Sequence, residues 1–591
     1  MEDEAPTEIR YAPASFSIDA QEFRGYRRLT RLVLEKRHFR TSMNPPPTSD
    51  SHIAALDALF SPACRSDAPG LVVGVAQHGR ILYRRGFGLA SVEHGTANTP
   101  ATRMRIGSTS KQFTCLAALL LAEDGLLDID ASVRAYLPEL PPIGPEPTLR
   151  QLMTHTSGYR CYLDLGFIAD GMAIKPPGVA WRVQRRQREA NFAAGTNMVY
   201  CNSGYQLLSR VIEQVGGLPF EQFLQRRIFE PLGMDDTSSV PSDFELHPGM
   251  ATLHVPLPAA RGGGWRRGIF PTEELRGEGA MVSIVDDMLR WLAHLRAPRK
   301  RVGSAASWEQ MLTPAALANG LANSYALGLM RHGYRGVEVI HHPGAVIGGA
   351  SQMLTVPSHA LDIIIIGNGA AASPRELALR IVDALLADKL TATTDANASA
   401  ARFAPLLGRH YIGRDSGLVF GFSEAAGGAL GLCLVNGPPV ALRDDGAQLR
   451  QAFEDMAIGP FVLQTAQLRA EAAAPPWLDM IEAGRTERCD LLPEVPPPLA
   501  EAAAPLVGRY WSDDLHAEAH VRFDGARLLL HIHGEHGGNR YGLQALSTEV
   551  FGCTELDTPQ PRAMVLTADR ADGFRLDTPR TRRLAFTRRG D

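Results

Sequence analysis

The sequence predicts an α/β body of mixed α+β character followed by two small antiparallel β-barrels. Three observations carry that expectation. Strand-like segments stand at both ends of the first two thirds, with helical patterns between them, as in a sheet layered with helices. Beyond Thr391 the chain changes to short strands and turns. One phrase also recurs about a hundred residues on: Leu406-Leu407-Gly408-Arg409-His410-Tyr411 is echoed by Leu506-Val507-Gly508-Arg509-Tyr510-Trp511, each after an alanine-rich run. A repeat of this kind marks two related modules, and the alternating segments Leu418–Phe422 and Ala519–Phe523 suit barrel strands.

In chain order, residues 1–50 begin acidic and turn basic and aromatic through Arg24-Gly25-Tyr26-Arg27-Arg28 and Glu35-Lys36-Arg37-His38-Phe39-Arg40. Arg31, Glu35 and Lys36 break up the leucines and valine, so the stretch lacks the uninterrupted apolar core expected of a signal peptide. It reads as a poorly ordered extension, or as sequence upstream of a start near Met43. Residues 51–390 form the α/β domain. Ser51–Phe60 is a short amphipathic helix. Gly70–Ala76 and Arg80–Gly88 are strands joined by the turn Gln77-His78-Gly79, a hairpin signal. A helix opens at about Ser108 and closes at Gly125, and its run Leu116–Ala122 is too apolar for a surface. Thr148–Gly158 is a short helix ending in a glycine turn. Tyr200–Asn202 leads into a helix patterned by Leu207, Leu208, Val211, Ile212 and Val215. Ser283-Ile284-Val285-Asp286 looks like a capping box opening a helix through Trp291. Gly336–Ile340 and Leu361–Gly367 are strands, the second buried, and Pro374–Leu386 is a helix. The first hairpin and the last strands should share one sheet. Residues 391–400 are linker-like, 401–490 the first barrel, and 503–591 the second.

Composition narrows the function classes. At 591 residues the chain is long enough for two or three domains. A formal charge of −4 gives no footprint for nucleic acid or anionic membrane. Seven scattered cysteines without C-x-x-C pairs argue against a disulfide framework or a zinc site and suit a reducing compartment. The longest apolar runs are far short of the roughly 20 residues of a membrane span. A cytoplasmic location is expected.

The stretch with chemistry in it is Arg105-Ile106-Gly107-Ser108-Thr109-Ser110-Lys111. Lys111 lies three residues after Ser108, so at a helix start they share one face. A lysine can take the proton of a serine hydroxyl if burial or nearby cations lower its pKa. The helix N-terminus disfavours a charged amine and offers free N–H groups to an oxyanion. Taken alone, an N-cap serine and a surface lysine would explain the pair. Two further suggestions follow. Tyr200-Cys201-Asn202 offers a phenol that could share a proton with Lys111 and an amide that could hold a substrate carbonyl, although Tyr200 could simply pack and Asn202 cap the next helix. His342-Pro343-Gly344 offers a histidine that could face a cleft and supply a donor or a positive charge, although, taken alone, a half-exposed loop histidine explains it better.

Ser108-x-x-Lys111, Tyr200-x-Asn202 and His342-x-Gly344 stand in this order, with about ninety and about a hundred and forty residues between them. The triple resembles the penicillin-recognising serine hydrolases, the class C β-lactamase and D-Ala-D-Ala peptidase group. The framing phrases Leu152–Gly158 and Ile228–Met234 resemble the same group. With two appended barrels, the match narrows to the D-stereospecific aminopeptidases. The resemblance implies a β-lactamase/transpeptidase-like fold and a covalent acyl-enzyme. It implies release of an N-terminal D-residue or glycine from short peptides, amides or esters. Ser108 would be the nucleophile, Lys111 and Tyr200 would manage its proton, and Asn202, His342 and Gly344 would hold substrate. The N–H groups of Ser108 and of the strand beyond Gly344 would form the oxyanion hole. A loop of the last barrel would enter the cleft; the matching stretch is Cys553–Pro561, which makes Asp557 the carboxylate facing the substrate ammonium. No metal or organic cofactor is implied, β-lactams are conceivable inhibitors, and a homodimer stays open.

The chain departs from the pattern at Pro343, whose missing N–H removes a donor from a strand edge, and in the apolar stretch Ala345-Val346-Ile347-Gly348. Two alternatives stand: a carboxylesterase or DD-peptidase indifferent to a free amine, and a non-catalytic scaffold or sensor on a penicillin-binding fold. Retention of Ser108, Lys111, Tyr200, Asn202 and His342 weighs against the scaffold.

Overall fold

The computed structural model describes residues 50–590 except 370–371, 393–396, 436, 447, 452–460, 465–472, 559–561 and 570–572. The extension expected before residue 50 lies outside them, as do parts of the linker and of the Cys553–Pro561 stretch.

Six antiparallel strands make the central sheet: β1 (Leu71–Gln77), β2 (Arg80–Phe87), β3 (Met330–Tyr334), β4 (Val337–Val346), β5 (Gly349–Val356) and β6 (Leu361–Gly367), in the order β3-β4-β5-β6-β1-β2. The first hairpin and the last strands therefore do share one sheet, through β1–β6 pairing that sets Val73 opposite Ile365. Successive side chains on a strand face opposite ways, and here both faces are covered. Val73, Val75, Ile363 and Ile365 pack with helices α1 (Asp50–Phe60) and α6 (Pro374–Leu385). Val72, Ile364 and Ile366 face the helical half of the domain. That two-sided burial explains the unbroken run Ile363–Ile366.

The helical half is built on α2 (Lys111–Glu123), buried along nearly its whole length, with α4 (Asn202–Gly216) and α5 (Val285–Arg296) against it. The expected start at Ser108 is a short 3₁₀ turn, Gly107–Ser110, before the α-helix proper. The expected capping box before α5 is absent. Ser283 instead ends a strand, and its hydroxyl meets Thr237 Oγ1 at 2.7 Å and donates to Ile284 O. Thr148 and Gln151 do form a reciprocal cap.

Two closed eight-stranded antiparallel barrels follow, with strands running from His410–Gly413 to Arg485–Leu491 and from Gly508–Ser512 to Leu584–Arg588. Each half of the sequence echo opens a barrel: Leu406 and Tyr411 enter the first core, Leu506 and Tyr510 the second. Among the described residues no helix is long and apolar enough to cross a membrane, and no three His, Cys, Asp or Glu side chains are grouped to hold a metal ion.

Candidate active site

Gly107 adopts φ +52°, which a residue with a Cβ rarely enters, and so turns the chain sharply into the 3₁₀ segment. In such a turn residues three apart eclipse one another. That geometry brings Lys111 Nζ to 3.0 Å from Ser108 Oγ. The amine also donates to Asn202 Oδ1 at 2.9 Å and to the Glu278 carbonyl at 2.6 Å. It is fully buried and walled by the rings of Tyr200 and Tyr205, whose centroids lie 4.9 and 5.1 Å away. Burial lowers its pKa to about 7; the Glu278 charge pulls it up and Arg580 pushes it down. Ser108 keeps partial exposure, so the hydroxyl is the part of this cluster that a substrate can reach.

Tyr200 and Asn202 arrive together at the mouth of α4. The phenol is buried and its oxygen has no hydrogen-bond partner. Burial raises its pKa, although the nearby Ser108 hydroxyl, short of a full hydrogen bond, favours the phenolate. Its ring lies against that of His155, centroids 4.0 Å apart and planes tilted by 37°. That histidine, held neutral by burial, accepts from Cys201 N through Nδ1 at 3.0 Å, so it fixes the Tyr200 backbone and ring together.

The third motif is part of β4, where a loop was expected. β3 pairs with β4 only as far as His341, leaving the outer edge from His342 onward facing the Ser108 turn. The approach is close: Thr109 Oγ1 donates to His342 O at 3.1 Å and Ser351 Oγ to Ile106 O at 2.8 Å. Alternation places the backbone N atoms of residues 343 and 345 on one edge. Ala345 N lies 2.7 Å from where a Cβ on Gly107 would sit, so this edge faces the Ser108 turn and Pro343 removes one of its donors. Ala345 N is the donor that this edge turns toward residue 107.

His342 does not supply charge or a donor to the cleft. It is fully buried, and burial with the nearby Lys111 charge lowers its pKa to about 3. Nδ1 lies 2.6 Å from Pro343 O and Nε2 2.9 Å from Tyr325 OH. A carbonyl only accepts, so Nδ1 carries the proton and Nε2 accepts from the phenol.

Asp557 is not brought to this group among the described contacts. It sits on the surface, bound by Arg540 Nε at 2.9 Å and an Arg540 terminal nitrogen at 2.5 Å. A different turn of the last barrel reaches the cleft: residues 578–583, between the strands Gly573–Asp577 and Leu584–Arg588. Buried Arg160 donates to Arg582 O and Arg583 O, both at 3.0 Å. Asn191 donates to Arg580 O and accepts from Arg582 N, each at 2.9 Å. Arg582 also grips Glu482 of the first barrel at 2.8 and 3.0 Å. Arg580 holds its guanidinium 5.0 Å from the Tyr200 ring centroid, and Asp164 of α3 (Tyr162–Asp170) feels its charge.

Sequence reasoning passed over Glu278, His155, Tyr325 and Arg580. His155 lies in the framing phrase Leu152–Gly158 and could have been singled out there. Arg580-Thr581-Arg582-Arg583 shows only as a basic run. Glu278, whose carboxyl accepts from Tyr162 OH while its other oxygen has no partner, carries no sequence signal.

This fold and the Ser108–Lys111 pair define a class, the serine hydrolases of penicillin-recognising type. A family model described as Beta-lactamase matches residues 50–387, more than half of the chain, and the chain belongs to the beta-lactamase family. It is similar to a D-aminopeptidase of Gluconobacter oxydans (strain 621H), 29% identical over 537 residues that cover 88% of this chain and 94% of the relative. A D-aminopeptidase of Brucella ovis is 27% identical over 528 residues, covering 87% and 92%. Among solved structures, the octameric penicillin-binding protein homologue from Pyrococcus abyssi shares the fold, with TM-score 0.51 and 18% identity over 90% of this chain and 98% of that one.

Proposed function

We propose that this chain is a D-stereospecific aminopeptidase, a serine hydrolase that releases an N-terminal D-residue or glycine through a covalent acyl-enzyme. The observation that carries it is the Lys111 amine 3.0 Å from Ser108 Oγ, with a pKa of about 7. A near-neutral amine accepts the hydroxyl proton as Oγ attacks the scissile carbonyl. Tyr200, still protonated, hands a proton to the leaving amine and regains one through Lys111. Ser108 N and Ala345 N take the oxyanion, Asn202 orients Lys111 and the acyl part, and Gly344 leaves room for close approach. Water then cleaves the ester by the same path in reverse. Similarity to D-aminopeptidases along most of both lengths supports the substrate class.

Free-amine selectivity needs a carboxylate beside the acyl part. Asp557 is exposed on the surface with Arg540, whereas Asp164 is half-buried one turn beyond Cys161, whose Sγ accepts from Asn202. We assign the ammonium to Asp164. The test is hydrolysis of D-alanine p-nitroanilide beside its N-acetylated form, its L-isomer and a chromogenic cephalosporin. Selective cleavage of the free-amine D-compound is expected; preference for the N-acetylated compound or the cephalosporin refutes the reading, and Ser108→Ala abolishes turnover.

A further inference from the structure

The turn at residues 578–583 gives the cleft a cation that serine–lysine chemistry does not require. Arg580 is half-buried, and its backbone is fixed through Asn191 and by the Thr578 N–H donated to Thr581 O at 2.7 Å. Its guanidinium lies against Tyr200, and its charge lowers the Lys111 and His155 pKa values and opposes the rise at Cys161. His342 is neutral, so no positive charge comes from the strand motif. Asp164 feels the Arg580 charge and accepts from the Thr578 hydroxyl of the same turn at 3.4 Å, which makes it the counter-charge.

Position decides which part of a substrate meets Arg580. Tyr200 serves the leaving nitrogen, so a group stacked beside Tyr200 stands on the leaving side. In an α-amino acid leaving group the carboxylate is two bonds from that nitrogen. A planar guanidinium matches a carboxylate in geometry as well as charge. We propose that Arg580 receives the free carboxylate of the leaving residue, so that the preferred substrates are unblocked dipeptides rather than amides. With Asp164 taking the ammonium, the Asp164–Arg580 dipole fits a compact zwitterion whose charges lie on either side of the scissile bond. This rests on the aminopeptidase reading above.

The test compares kcat/KM for D-alanyl-glycine and for D-alaninamide in the wild-type enzyme and in Arg580→Ala, Arg580→Lys and Arg580→Glu. The ratio of dipeptide to amide is expected to fall about 10- to 100-fold in Arg580→Ala, the loss of one charge-assisted hydrogen bond. It should fall further in Arg580→Glu and recover in part in Arg580→Lys. Because the readout is a ratio within each variant, any general loss of folded enzyme cancels. A ratio unchanged within about twofold in Arg580→Ala overturns the carboxylate role and leaves the aminopeptidase reading intact. Wild-type enzyme that cleaves neither compound but hydrolyses an N-acetyl D-alanine ester overturns both.

Discussion

Replacing Gly344 by alanine tests whether the edge of β4 completes the oxyanion site. Gly344 needs no unusual backbone angle; what it supplies is the absence of a side chain. A Cβ there would lie 1.9 Å from Ile106 O and 2.4 Å from Ser351 Oγ, whereas real Cβ atoms essentially never come within 3.0 Å of such neighbours. The serine can turn away, but the carbonyl belongs to the backbone that leads into Gly107 and Ser108. Strand and nucleophile turn must therefore separate by at least 1.1 Å, the difference between 3.0 and 1.9 Å. That displacement carries Ala345 N away from Ser108 N. Misplacement of about 1 Å costs roughly 10²-fold in rate, and loss of one oxyanion donor about 10²- to 10³-fold. We expect kcat/KM on D-alanine p-nitroanilide to fall by about 10²- to 10³-fold, together with a stability loss of about 1–3 kcal/mol from overpacking. Thermal unfolding of the same sample separates the two effects, since folded variant at the assay temperature should still be slow. Activity within about threefold of wild type, in a protein that melts normally, would refute the assignment of this edge to the transition state.

Other consequences follow from the same geometry. The Lys111 amine must be neutral to accept a proton, so kcat/KM should rise with pH through about 7 and level off above it; a profile flat from pH 5 to 9 would contradict Lys111 as the base. The Glu278 charge raises the Lys111 pKa, so Glu278→Gln should move that acid limb to lower pH, and a limb that stays in place would remove Glu278 from the proton-holding group. Asp164→Asn should lower the preference for D-alanine p-nitroanilide over its N-acetylated form by about tenfold, the scale of one charge-assisted contact, whereas Asp557→Asn should leave it within about twofold; the reverse result would return the amine to Asp557. Arg582→Ala strands Glu482, 13% exposed, without its cation. Removing one member of a buried pair costs about 3–5 kcal/mol, so the melting temperature should drop clearly, and an unchanged melt would show that the pair does not tie the barrels to the site.

The parts of this molecule readable in the sequence are those that local chemistry determines. The isoleucine run of β6, the leucine-rich body of α2 and the Leu406/Leu506 echo each announce an element through its own burial. The Ser108–Lys111 spacing survives a wrong helix start because a 3₁₀ turn brings residues three apart together even more directly than an α-helix. What stayed hidden depends on chain segments meeting from far apart. His342 reads as a loop donor until β4 is seen to run through it and Tyr325 to claim Nε2. Asp557 and Arg580 stand in alternate hairpin connections of one barrel, and no local pattern tells which connection will lie over the cleft. Asn191 settles it by pairing with the Arg580 and Arg582 backbone as a strand would.

That contact has a consequence for how specificity is built. Ser108, Lys111 and the donors proposed for the oxyanion all belong to the part of the chain built on α2 and the central sheet, and Lys111 is held by hydrogen bonds inside it. Arg580 comes from a turn that hangs on Arg160, Asn191 and, through Arg582, on Glu482 of the first barrel. Arg160 in turn offers its own carbonyl to Ser203 Oγ, next to Asn202, at 2.7 Å. The Ser108–Lys111 contact can thus form without the barrels, while Arg580 reaches the cleft only through the turn of the last barrel. Perturbing the docking should therefore change which substrates are chosen before it stops the chemistry. In Arg582→Ala, the ratio of dipeptide to amide turnover should fall at temperatures well below the melt, in the same direction as in Arg580→Ala but by less. If turnover of both substrates fell together instead, the turn would be a prop for the whole site and not the carrier of its selectivity.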